Sequence, residues 1–259
     1  MNGVLAARVA TAAALIAGFL AALFLLPRPW WAALVALLVA GGGFEWARLC
    51  RLTGVAAWAY ALAASGTFVA LFLGGEAVMR ASFWIAAAFW VAAAPLWLWR
   101  GMRAEHRTAL IAIGFVVIVP AALALASLPP AEVLAVLVLV WIADTAAYFV
   151  GRTWGRRKLA PSISPGKSWE GALGGVVGAV AYAIICGSFL WGNAWPAYLL
   201  GAVVLAAISI VGDLFESAAK RQAGVKDSGT LLPGHGGILD RIDSATAVLP
   251  IAALLLSLR

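Results

Sequence analysis

The chain has 259 residues, of which 64% are hydrophobic and 11% charged. A soluble domain carries roughly one quarter charged residues, so these proportions exclude an ordinary soluble globule. The net charge is +7, and the placement of the basic residues decides whether that marks a nucleic-acid binder or a membrane topology.

Apolar runs of about 18–20 residues, long enough to cross the hydrocarbon core as helices, recur from end to end. They predict spans at residues 9–26, 30–49, 55–73, 82–99, 108–127, 132–150, 171–191, 197–216 and 244–258. The expected fold class is therefore all-α, a polytopic transmembrane helical bundle of about nine spans. The first run reads as a retained span, because Leu26-Pro27-Arg28-Pro29-Trp30 follows it in place of a small-residue cleavage site. Trp30, Trp31, Trp97, Trp99, Trp141 and Trp195 stand at the edges of runs, as an interfacial aromatic belt would place them. Gly and Ala throughout the runs suit close helix–helix packing. Cys50 and Cys186 read as structural residues and not as a disulfide.

Alternate ends of the spans collect 15 of the 18 Lys and Arg residues, and only Arg28, Arg80 and Arg259 fall on the other side. The positive-inside rule turns the rich side toward the cytoplasm. Topology then accounts for the basic excess, and the sequence has neither a nucleic-acid motif nor a loop long enough to hold such a domain. Residues 1–131 read as N-terminal scaffold helices whose only acids are Glu45, Glu76 and Glu105. Residues 132–259 read as the catalytic region, with the other eight acids and the two longest loops, at about 151–170 and 217–243. Without a convincing repeat between the halves, an inverted-repeat transporter is disfavoured.

In the sixth run, Asp144 lies about six residues, or about 9 Å at helical rise, from the cytoplasmic end. A carboxylate at that depth is costly unless it is paired, metal-bound or hydrated, so it marks either a functional group or a packing contact with a Lys or Arg. Glu170 begins the seventh run. In the eighth, Asp213, Glu216, Ser217 and Lys220 share one helical face. The loop that follows is Lys226-Asp227-Ser228-Gly229-Thr230-Leu231-Leu232-Pro233-Gly234-His235-Gly236-Gly237. Gly234, Gly236 and Gly237 around His235 allow successive N–H groups to cup an anion. Asp240 and Asp243 come next, three apart on one helical face. Carboxylates with hydroxyls, and neither clustered Cys nor paired His, favour a hard cation such as Mg²⁺ over Zn²⁺. Lys220, Arg221, Lys226 and Arg241 surround them. Acids to hold a metal beside bases to hold phosphate oxygens are what phosphoryl or nucleotidyl transfer requires.

Gly166-Lys167-Ser168 has the look of a P-loop ending, but Pro161 stands where that motif needs Gly, and no strand is expected before it. A helix start is the better reading: Ser168 caps the seventh span and Lys167 sits at its anion-attracting N-terminus. His106, in an Arg-rich loop, reads as solvated.

With these residues in view, the sequence resembles the phosphatidate cytidylyltransferases, or CDP-diacylglycerol synthases. The resemblance rests on Ser217-x-x-Lys220-Arg221, then Lys226-Asp227, then Pro233-Gly234-His235-Gly236-Gly237-x-x-Asp240-Arg241-x-Asp243. Ser164-Pro165-x-Lys167-Ser168-x-Glu170-Gly171 and Asp144-x-x-x-Tyr148 also match the family's pattern, whereas Ala219 stands where the family usually has a larger apolar residue. The resemblance implies transfer of CMP from CTP to phosphatidate, giving CDP-diacylglycerol and pyrophosphate. It also implies Mg²⁺ dependence, a second cation such as K⁺ nearby, a homodimer and a place in the inner or plasma membrane among its lipids. By motif, Asp213 and Asp240 are the expected metal ligands, with Asp144, Asp227 and Asp243 as further acids of the site. Lys167, Lys220, Lys226 and Arg241 would hold the triphosphate. Ser164, Ser168, Ser217 and the loop glycines would line its site, and His235 would either donate a hydrogen bond or shape the loop. Two other classes predict different patterns. An ion-coupled secondary transporter would place acids near the midplane of both halves. CDP-alcohol phosphotransferases and prenyl transferases use differently arranged acid clusters.

Overall fold

The structure, a computed structural model, describes residues 2–191, 195–229 and 236–257. Among these, nine long helices follow one another: α1 Asn2–Leu25, α2 Arg28–Leu49, α3 Gly54–Leu73, α4 Glu76–Arg100, α5 Arg107–Ser127, α6 Pro130–Trp154, α7 Trp169–Trp191, α8 Trp195–Ala223 and α9 Leu239–Leu256. The chain is an all-α polytopic membrane protein, and each expected span corresponds to one helix.

Seven described helices, α2 to α8, are long and apolar enough to cross a membrane by themselves, against about nine expected. In α1 the apolar stretch that qualifies is shorter, Ala13–Leu25. Helix α9 begins at Leu239, five residues before the expected span, and carries Asp240, Arg241 and Asp243 in its opening turns. Those charges belong to the site described below.

The expectation of no strand before the Gly166-Lys167-Ser168 segment is corrected. The α6–α7 connection folds as an antiparallel hairpin, β1 Lys158–Ala160 with β2 Ser164–Ser168, and Lys167 lies within the second strand. A segment that is itself a strand is not a phosphate-cradling loop, so the P-loop remains excluded for a different reason. Ser168 caps α7 as expected, its Oγ accepting the Gly171 N–H at 3.1 Å.

Small residues set the helix spacings. A methyl group on Gly174 would lie 2.6 Å from Val150 Cβ, one on Gly178 2.8 Å from Ala146 Cβ, and one on Gly171 2.8 Å from the Ala147 carbonyl. These glycines let α7 pack directly on the α6 backbone. Gly212 does the same for α8 and α9, where a methyl would lie 2.8 Å from the Asp243 carbonyl. Helix α4 widens to a π-turn at Phe89–Ala93, just before Pro95, whose ring nitrogen has no hydrogen to give to the preceding turn. That turn aims Phe89 and Trp90 at Phe215 of α8, with ring centroids 5.2 and 5.5 Å away. Trp97 and Trp46 also meet Phe215, at 5.8 and 6.5 Å, and Phe215 is fully buried. The aromatic hub fixes the rotation of α8 about its axis, and with it the direction of the polar face beside Phe215.

Trp30, Trp99 and Trp141 remain exposed, as belt residues should, whereas Trp97 is half-buried against Phe215 and the Trp195 side chain lies outside what the structure describes. Trp31 departs from that reading: it is buried and donates to the Leu125 carbonyl at 3.1 Å. Cys50 and Cys186 are both free thiols, Cys50 buried and Cys186 half-buried.

Candidate active site

The polar face of α8 is the platform. Along it, Ser217 Oγ donates to Asp213 Oδ1 at 3.2 Å, and Lys220 Nζ donates to Glu216 Oε1 at 3.1 Å. Both are contacts between residues four apart, as a helical stripe requires. Glu216 and Lys220 are almost wholly buried. Helix α8 then stops at Gly224, in the left-handed region at φ +79°, with Val225 N–H bonded back to the Lys220 carbonyl at 3.0 Å and Gly224 N–H to that of Arg221 at 3.0 Å. This is the glycine stop that satisfies a helix's last carbonyls and reverses the chain. The reversal brings Ser228 back to the start of α9.

There Asp240 is the focus. Its Oδ1 accepts Lys220 Nζ at 2.7 Å. Its Oδ2 accepts Gly237 N–H at 2.8 Å, Ser228 N–H at 2.9 Å and Ser228 Oγ–H at 3.0 Å. Gly236, at φ +86°, is required on two counts: its backbone conformation, and a methyl that would fall 2.8 Å from Asp240 Oδ2. Lys220 thus bridges two acids, Glu216 and Asp240, drawn from different helices.

The hairpin supplies the second cation of the site. Lys167 Nζ forms an ion pair with Asp213, with about a quarter of each side chain exposed (26% and 27%). Asp243, on α9, stands within electrostatic range of Asp213, Lys167 and Lys220, and its Oδ1 accepts the adjacent Ser244 N–H at 2.7 Å. Asp144, on α6, makes a long contact of 3.5 Å to Ser244 Oγ and senses the charges of Asp213 and Lys167. Its residue keeps exposed surface. Asp144, Lys167, Asp213, Ser217, Lys220, Asp240 and Asp243 are therefore brought together at one end of the bundle by α6, the hairpin, α8 and α9.

Other expected residues stand apart or in different roles. Lys226 and Asp227 lie exposed in the turn before Ser228, and Arg241 is exposed on α9. Ser164 opens β2 and Ser168 is buried as the cap of α7. Gly237 contributes its N–H to Asp240, while Gly234 and His235 lie outside the described residues. The Glu170 carboxylate is occupied locally by Arg156 N–H at 3.1 Å and Arg157 N–H at 3.2 Å, holding the turn that precedes the hairpin. His106 is not simply solvated: its Nδ1 accepts Trp97 Nε1–H at 2.9 Å.

One residue of the site escaped the sequence reading. Glu45 of α2, 1% exposed, accepts Ile238 N–H at 2.9 Å on Oε1 and Leu239 N–H at 2.9 Å on Oε2, and its Oε2 lies 3.0 Å from Ser228 Oγ, whose one hydroxyl proton it shares with Asp240 Oδ2. The only signal was an acid within an apolar run, Gly41-Gly42-Gly43-Phe44-Glu45-Trp46.

The donor set suits a hard cation. Among the described residues no three acid, His or Cys groups form an all-protein metal cage. Mg²⁺ does not need one, since it is commonly held by one or two carboxylates and completed by water and substrate phosphates. Asp213 and Asp240, each now bonded to a lysine ammonium, are carboxylates of that kind.

The chain matches the cytidylyltransferase family over residues 6–259. It belongs to that family. A relative from Pseudomonas aeruginosa called phosphatidate cytidylyltransferase is 41% identical over 264 residues, covering 96% of each chain. Relatives of the same name align over shorter stretches. One from Haemophilus influenzae is 53% identical over 120 residues, 44% of this chain and 42% of its own, and one from Staphylococcus epidermidis is 48% identical over 120 residues, 46% of each. This cytidylyltransferase-family chain is accordingly a membrane-embedded nucleotidyltransferase, and nothing in the matches supports ion-coupled transport.

Proposed function

We propose that the protein transfers CMP from CTP to phosphatidate, giving CDP-diacylglycerol and pyrophosphate. The observation that carries this reading is the cluster of Lys167, Asp213, Lys220, Glu216 and Asp240, in which two lysines from separate elements rest on three acids. The name of the Pseudomonas relative, aligned over almost its whole length, gives the substrates.

Phosphatidate brings its own nucleophile. A phosphate oxygen attacks the α-phosphorus of CTP, the bond from that phosphorus to the bridging oxygen breaks, and pyrophosphate leaves. The protein therefore needs no Ser or Cys nucleophile, only positioning and charge stabilisation. Lys167 and Lys220 would neutralise phosphate oxygens, and Lys226 and Arg241 would add positive charge at the rim. Asp213 and Asp240 would hold Mg²⁺, which supplies charge neutralisation between the two phosphates when bound. Asp144 and Asp243 would complete the acidic surroundings, with Asp227 exposed in the adjoining turn, and a second cation such as K⁺ belongs to the same reading. The basic ends of the spans support a site on the cytoplasmic side of the inner or plasma membrane. There a soluble nucleotide reaches a lipid whose tails stay in the bilayer. A homodimer is part of the proposal.

Purified protein given CTP, Mg²⁺ and phosphatidate in mixed micelles should release pyrophosphate and form CDP-diacylglycerol, both dependent on the lipid. No release with phosphatidate or any other lipid phosphate overturns the assignment.

A further inference from the structure

We propose that Glu45, from the N-terminal half of the chain, is a positioning residue of the transfer reaction, holding the Ser228 turn and the start of α9 so that Asp240 is presented to the substrates. This rests on the transferase reading of the site.

A carboxylate as buried as Glu45 has to be compensated. Its compensation here is the start of a helix, where N–H groups lack intrahelical partners and the dipole is positive. Three successive N–H groups at this start divide between two acids: Gly237 gives to Asp240, while Ile238 and Leu239 give to Glu45. Ser228 ties the acids together, its Oγ standing 3.0 Å from both Glu45 Oε2 and Asp240 Oδ2. The Asp240 carboxylate is thus fixed on one oxygen by Lys220 and on the other by groups that Glu45 itself holds.

Close packing makes the same point independently. A methyl group on Gly229 would lie 2.6 Å from Glu45 Oε1, and one on Gly237 would lie 2.5 Å from Oε2. Gly229 and Gly237 are therefore fitted around the Glu45 carboxylate, and the backbone position of each depends on it. In Glu45→Gln one acceptor oxygen becomes an NH2 donor, so either the Ile238 or the Leu239 N–H loses its acceptor and Ser228 is free to shift. Asp240 moves with them. A displacement of about 1 Å at a reacting site costs as much as about 100-fold in rate.

The test compares full-length wild type, Glu45→Gln, Ser228→Ala and the double variant, purified in detergent. A merely structural role lowers the melting temperature and leaves turnover per folded molecule unchanged. The positioning role predicts kcat lower by about 10- to 100-fold in Glu45→Gln, with the KM for CTP changed less than about threefold. It also predicts that Ser228→Ala costs little further in the Glu45→Gln background, because the two act through one network. Wild-type kcat per folded molecule in Glu45→Gln, or fully additive effects, overturns the proposal. If Glu45→Gln does not fold, Gly229→Ala carries the test, since it crowds the carboxylate without removing it; unchanged kcat in that variant overturns the proposal. A wild type that releases no pyrophosphate refutes the transferase reading instead, which a lesion confined to the variants does not.

Discussion

Lys220 shows how much one side chain arranges. It is the shared cation of Glu216 and Asp240, at 3.1 and 2.7 Å, in a setting where all three side chains are nearly buried. Lys220→Met leaves two desolvated carboxylates facing each other. Breaking such a pair typically costs about 3–5 kcal/mol. The expected outcome is a clear fall in melting temperature together with loss of pyrophosphate release. Lys220→Arg should not rescue turnover, because a planar fork cannot replace a compact ammonium between two acids set by different helices. An active, normally stable Lys220→Met variant would remove Lys220 from the site.

At the scale of elements, function depends on helices being close enough and correctly rotated. The α6–α7 contact is set by glycines, and it holds Asp144 on one helix near Lys167 on the strand that leads into the next. Gly174→Val places branched carbons where a Cβ alone would already be 2.6 Å from Val150 Cβ. Overpacking of this kind costs about 1–3 kcal/mol, so the variant should melt several degrees lower and lose activity while keeping its helix content by circular dichroism. Gly66→Ala, on α3, is the control: a methyl there meets nothing within 4 Å, and both melting and turnover should stay as in the wild type. Equal behaviour of the two variants would show that the α6–α7 spacing is not sterically set.

For the whole molecule, the proposal has one end of the bundle reading a soluble nucleotide and its flank reading a lipid. The site is assembled from both halves of the chain: α6 to α9 bring the lysines and most of the acids, and α2 brings Glu45. Helix α8 is also tied to the first half at its end, where Gln222 Nε2 donates to the Leu49 carbonyl at 2.9 Å. The distribution of basic residues predicts the orientation. In a background with Cys50 and Cys186 replaced, Arg103→Cys should react with a membrane-impermeant maleimide only from the cytoplasmic side, and Arg80→Cys only from the opposite side. The reverse pattern would turn the site away from its nucleotide.

The spans were legible in the sequence because the bilayer imposes a length and a polarity on any helix that crosses it, whatever surrounds that helix. Local pairs were legible for a similar reason. Asp213 with Ser217, and Glu216 with Lys220, follow from a spacing of four, and Ser168 follows from a cap at a helix start. The hairpin was not legible, since short polar strands have no periodic apolar signal. Neither was the use of Glu170 by Arg156 and Arg157 N–H groups. The bond between Glu45 and Ser228 spans 183 residues, and that between Lys220 and Asp240 spans 20 with a chain reversal between them. Such contacts depend on how each helix is turned about its axis and how far it slides along its neighbour. Those two variables are set by packing, here by the Phe215 rings and the glycine contacts. The sequence by itself determined what crosses the membrane and which residues share a helical face; the tertiary structure alone decided which faces meet.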